Sequence, residues 1–129
     1  MELESNVVGW FEVPVNDMPR AIKFYEKVFD FKIERHEMGE LDMGWFPSNH
    51  KAGGAMGSLV KHPDFYTPSH EGPLVYFTAH SGDLNNELKR IEPAGGKVLM
   101  PKKLITEDIG YMAIFEDTEG NRVALHSRA

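Results

Sequence analysis

The chain contains no cysteine. That absence excludes a disulfide framework, a thiolate nucleophile and any Cys-ligated zinc or iron–sulfur centre, so a metal would have to be held by His and carboxylates. Positive charge is also scarce. Fourteen Lys and Arg stand against 20 Asp and Glu, giving a net charge of −6 with the acids spread along the chain. A surface that tracks phosphates needs a basic patch, and nucleic acid is therefore not an expected partner. No apolar run approaches the roughly 18 residues of a membrane span. The opening MELESNVVGW has neither a basic n-region nor an apolar h-region. The expectation is a cytoplasmic protein without a membrane partner.

What is present suits one small globular domain. The 129 residues are 41 % hydrophobic and 11 % aromatic, enough to fill a core and too apolar for a disordered chain. Val7–Val15 reads as a strand. Asn16-Asp17 with Pro19 then opens a helix whose stripe is Met18, Ala21, Ile22, Tyr25, Val28 and Phe29, ending near Asp30. Strand-like stretches follow at Phe31–Met38, Met43–Phe46 and Ala55–Val60. Residues 62–72, with Pro63, Pro68 and Gly72, form a linker or a loop over a pocket. A second cycle begins with a strand at Leu74–Ala79 and a helix capped by Asp83, carrying Leu84, Leu88 and Ile91. It continues through strands at Lys97–Met100, Tyr111–Glu116 and Val123–His126, with a turn at Asp117–Asn121. The caps Asp17 and Asp83 lie 66 residues apart, which points to internal duplication. The fold class is α+β, a single domain over 1–129 built from two tandem βαβββ modules, about 5–61 and 73–127.

Three segments carry a family likeness. VPVNDMPRAIKFYEKVF, AGGKV and FEDTEGNRVALHS together resemble the glyoxalase, bleomycin-resistance and extradiol-dioxygenase group, the vicinal oxygen chelate superfamily, and within it a branch related to lactoylglutathione lyase. The resemblance implies that the two modules curl into a mixed-sheet cup around a site, and that the protein pairs as a homodimer. Metal-dependent members place His, Gln or Glu on four strands. By the same resemblance the first of these positions falls on Trp10, the third on Leu74 and the fourth on Ala124, while no carboxylate exists between Asp42 and Asp64 to supply the second. No metal site, no other cofactor, and neither classical glyoxalase I nor dioxygenase activity is expected.

The two-residue period of strands gives the lining of such a cup. If Trp10 faces in, so does Glu12, with Phe11, Val13 and Val15 behind. Leu74, Tyr76 and Thr78 line the fifth strand, and Arg122, Ala124 and His126 the last. Glu12 is either an ion-pair partner of Arg122 or a base or anchor for a cationic or hydroxyl-bearing ligand. His126 is either bonded to a backbone carbonyl or an acid–base partner of Glu12. Two functions follow. One is a metal-free protein that binds a small aromatic or cationic molecule in the cup. The other is a lyase or isomerase that transfers protons through Glu12 and His126. An accessory or sensor subunit with an occluded cup is a third.

Overall fold

A computed structural model describes residues 3–129. The elements run β1 (Trp10–Pro14), α1 (Met18–Phe29), β2 (Glu34–Met38), β3 (Leu41–Trp45), β4 (Met56–Lys61), β5 (Tyr76–Thr78), α2 (Leu84–Leu88), β6 (Lys97–Thr106), β7 (Gly110–Glu116) and β8 (Arg122–Ser127). They build two four-stranded mixed sheets of order β1-β4-β3-β2 and β5-β8-β7-β6. The same βαβββ topology is thus made twice, as the 66-residue spacing predicted. In each sheet the first strand lies parallel to the last, with a helix in the crossover between them, as a parallel pair requires. No strand pairing joins the two sheets among the described residues, so the mixed sheet is two open halves rather than one closed surface.

Local chemistry fixes the crossovers. The Asp17 side chain accepts the Arg20 N–H at the start of α1, Pro19 sits in the first turn, and Asp30 closes the helix in the left-handed region at φ 57°. Helix α1 buries Met18, Ala21, Tyr25, Val28 and Phe29, as its periodicity predicted, and also Phe24. Phe24, three residues after Ala21 and four before Val28, widens that stripe toward Phe115 of the other module, whereas Ile22 is only half-buried. Helix α2 is a short five-residue piece. Its predicted third contact, Ile91, lies beyond it in a turn and is still fully buried. Strand β6 continues past Met100 to Thr106 through three register irregularities, where the sequence reading stopped it before Pro101.

One core serves both modules. Val13, Val15, Leu59 and the buried face of α1 pack with Phe77, Phe115, Val123 and Leu125. Ring contacts between Phe11 and Phe77, and between Tyr25 and Phe77, cross from one module to the other. The side chains between sheets and helices are therefore committed to packing, and only the opposite face of each sheet is free for other work.

Candidate functional site

The face that each sheet turns away from its helix carries the polar and aromatic residues. In the first sheet the register sets Glu12 beside Ser58 and Ser58 beside Trp45. Trp10 and Trp45 meet edge to face with centroids 6.2 Å apart, 41 % and 40 % exposed, and His36 lies against Trp45 at 4.1 Å. In the second sheet Tyr76 pairs with Ala124 and Thr78 with His126. Arg122 and Glu116 share that face, because Val123 and Phe115 between them lie in the core.

The predicted lining residues take different places. Trp10, Tyr76 (48 % exposed) and Thr78 are open to solvent, while Glu12, Arg122 and His126 are half-buried. Ala124 is fully buried, and Leu74 precedes β5, outside the parity of that strand. Tyr111 turns to the core face and lies under the Lys102 ammonium at 4.4 Å.

Residues 62–72 form a strap that ties the two open faces together. The Tyr66 hydroxyl donates to Glu12 Oε1 at 2.6 Å, and this bond raises the phenol pKa. Three residues on, the Ser69 N–H donates to Asn121 Oδ1 at 3.2 Å, and the Ser69 carbonyl accepts from the Arg122 N–H at 3.4 Å. His70 then reaches Glu116 at 2.6 Å. Four residues of chain extend about 14 Å at most, so the Glu12 and Arg122 positions share one short crossing.

Glu12 makes no ion pair with Arg122, which corrects one of its two sequence readings. Its carboxylate is held by Tyr66 and by the Trp10 indole N–H at 3.4 Å. The Arg122 side chain has no acceptor among the described residues, and its Nε is buried. A second buried group, the Ser58 hydroxyl, also lacks a partner. Buried polar groups are usually satisfied, by protein or by ordered water. His126 Nε2 lies 2.6 Å from the Ile109 carbonyl oxygen, so its ring is committed to the backbone.

The donor set does not fit the metal that the fold family uses. Trp10 offers no ligand atom, Ala124 is a methyl, and β4 (MGSLVK) has no carboxylate. Among the described residues no group of three His, Asp or Glu side chains is gathered to hold a metal. Two cavities, of about 340 and 450 Å³, lie on the helix side beside Glu87 and beside Lys23, away from the open faces. Glu87 in the first already accepts from the Ser81 hydroxyl at 2.8 Å and lies 3.8 Å from Arg90.

From the sequence Trp45 is an aromatic candidate of undecided side and Tyr66 part of a loop that either covers the cup mouth or links the modules, while Ser58 carries no signal. Tyr66 carried only the weak signal of an aromatic residue between two prolines. Trp45 and Ser58 needed the β3–β4 register, which no local pattern supplies.

The last motif of the chain has a structural role. Asp117 accepts from the Tyr25 hydroxyl (2.7 Å), the Glu119 and Asn121 N–H groups and the Asn121 side chain. Burial raises its pKa against the pull of those donors. Glu119 accepts the Asn16 and Asp17 N–H groups and a two-pronged Arg20 guanidinium, at 2.7–2.9 Å. Asn121 donates to the Pro14 carbonyl at 2.7 Å. The turn of the second module thus clamps the crossover of the first.

Comparison with known proteins agrees with this architecture. The family profile for "Glyoxalase/Bleomycin resistance protein/Dioxygenase superfamily" matches residues 7–125. A glyoxylase-like domain-containing protein of Didymella fabae is 26 % identical over 99 % of this chain and 98 % of its own length. The crystal structure of a glyoxylase/bleomycin resistance protein/dioxygenase domain from a Frankia species superposes with a TM-score of 0.69, at 18 % identity, over 95 % of this chain and 97 % of that one. Glyoxalase I from Zea mays gives a TM-score of 0.68 at 19 % identity over 92 % of this chain. This chain spans 45 % of the maize protein's length.

Proposed function

The chain belongs to the glyoxalase/bleomycin resistance protein/dioxygenase superfamily, and from that premise we propose that it binds a small aromatic or cationic organic molecule on its open faces without a metal. The observation that carries the reading is the exposed indole of Trp10 where the first metal donor is expected, with Leu74 and Ala124 at two others. Trp10 stands at the first expected ligand position, and Trp45 and Tyr76 extend the same kind of surface. Flat apolar area next to a few fixed polar groups is what a planar organic ligand needs. Glu12, Thr78 and Arg122 supply the polar groups.

The enzymatic alternative has less support. Isomerising a hemithioacetal requires a stabilised enediolate, and with this donor set the electrophile at hand is Arg122. Glu12 is bonded to Tyr66 and His126 to a carbonyl oxygen, so neither stands free to move a proton. We also read the protein as a homodimer, which light scattering on the purified chain tests.

Thermal-shift screening against metabolites and antibiotics tests the binding reading: at least one planar or cationic compound raises Tm, and the same compound loses its effect in Trp10→Ala. A methylglyoxal–glutathione assay with added nickel or zinc separates the alternatives. Turnover well above background would overturn the binding reading in favour of a lyase.

A further inference from the structure

We propose that the Glu12 corner of the open face selects an alkylated ammonium cation over a neutral ring. The inference rests on the binding reading above and names the ligand class for that site. Glu12 is a half-buried carboxylate whose bonded partners, the Tyr66 hydroxyl and the Trp10 indole N–H, are both neutral. No Lys, Arg or His side chain lies within ion-pair distance of it among the described residues. By contrast Arg20, Arg35 and Lys102 are spent on Glu119, Asp42 and Asp83. The negative charge of this corner is therefore held in place without being cancelled.

The surroundings fit one kind of cation. Two exposed indoles stand beside the carboxylate, at 6.2 Å from one another and nearly perpendicular, so that a group resting on one ring face meets the other ring as well. Indole is the best ring for holding a cation over its face. Glu12 Oε1 is bonded by Tyr66 at 2.6 Å and Oε2 more loosely by the Trp10 indole at 3.4 Å. A quaternary ammonium, alkylated at all four positions, has no N–H to place and needs only charge and apolar contact, both of which the corner supplies.

Trp10 and Trp45 are the two tryptophans of the chain, so intrinsic fluorescence reports this corner alone. Titration is made with choline, with its neutral isostere 3,3-dimethylbutan-1-ol, and with benzyl alcohol as a neutral aromatic. Choline is expected to shift the emission with at least about tenfold tighter apparent binding than the isostere. Raising the salt concentration weakens choline and leaves the alcohols unchanged. Glu12→Gln, which keeps an acceptor for Tyr66, abolishes the preference while the circular dichroism spectrum stays that of the parent. Choline binding no tighter than its isostere overturns the inference. If benzyl alcohol still shifts the emission in that case, the binding reading survives without it. No response to any of the three removes both.

Discussion

Asp117 and Glu119 sit two residues apart and titrate in opposite directions, because their surroundings differ in charge rather than in burial alone. Burial pushes Glu119 upward, but the Arg20 guanidinium and the Asp17 and Asn16 N–H groups outweigh it, and its pKa falls below the ordinary 4.5. An acid depressed in the folded state contributes stability above its unfolded value and loses that contribution as pH falls through the folded value. Glu119→Gln is therefore expected to lose about 1–2 kcal/mol at neutral pH, discounted because Arg20 is half exposed. Its stability falls less steeply than the parent's below about pH 4.5, as melting curves at successive pH values would show. Equal slopes would contradict this account. Asp117 is the reverse case: its raised pKa means a penalty above the folded value that protonation relieves. Asp117→Asn does not recover that penalty, since the new amide would point N–H groups at the Tyr25 and Asn121 donors. A loss of about 1–3 kcal/mol in denaturant unfolding is expected. The sequence marked the Asp117–Asn121 turn but not its use, because the partners of Asp117 and Glu119 lie about a hundred positions earlier.

Among the elements, β1 and β4 depend on a close approach that only glycine allows. A Cβ on Gly57 would lie 2.4 Å from the Phe11 ring and 2.6 Å from the Phe11 carbonyl oxygen. Gly57→Ala is expected to cost about 2–3 kcal/mol and to lower Tm by roughly 5–10 °C, since backbone as well as a ring has to move. An unchanged Tm would mean that β1 is held less tightly than its parallel pairing indicates. Helix α1 was legible down to its caps, because Asp17, Pro19 and a 3.6-residue stripe are local signals. Phe24 was not assigned to that stripe, as its partner Phe115 lies in the other module. The far half of β6 was missed for a comparable reason. Pro101 and two lysines look like an end from the sequence, yet on an edge strand Pro101 and Lys103 are exposed, Lys102 is held by Asp83 and Tyr111, and the irregular register absorbs them.

At the scale of the whole molecule the two modules share one core and one clamp, so they are expected to unfold together. Calorimetry should give a single transition with equal calorimetric and van't Hoff enthalpies. Two resolved transitions would mean that the Asn16–Arg20 clamp by Glu119 couples the halves weakly. The donor chemistry leads to a second expectation. Zinc or nickel titrated into chelator-treated protein produces neither stoichiometric tight binding nor a rise in Tm, and a tight one-to-one isotherm would refute it.

The sequence by itself determined the duplication, the βαβββ order, the shared side of Trp10 and Glu12 on their strand, and the residue types Trp10, Leu74 and Ala124 where family metal donors are expected. These follow from periods of 2 and 3.6, from cap chemistry and from the residue types available. Only the tertiary structure decided that Glu12 meets Tyr66 and Trp10 instead of Arg122, that His126 is tied to a carbonyl oxygen, and that Ser58 is buried without a partner. Each of these depends on which distant segments are brought alongside, through strand register and the path of the 62–72 strap. Local pattern sets the direction of a side chain, whereas its partner is set by chain closure over many residues.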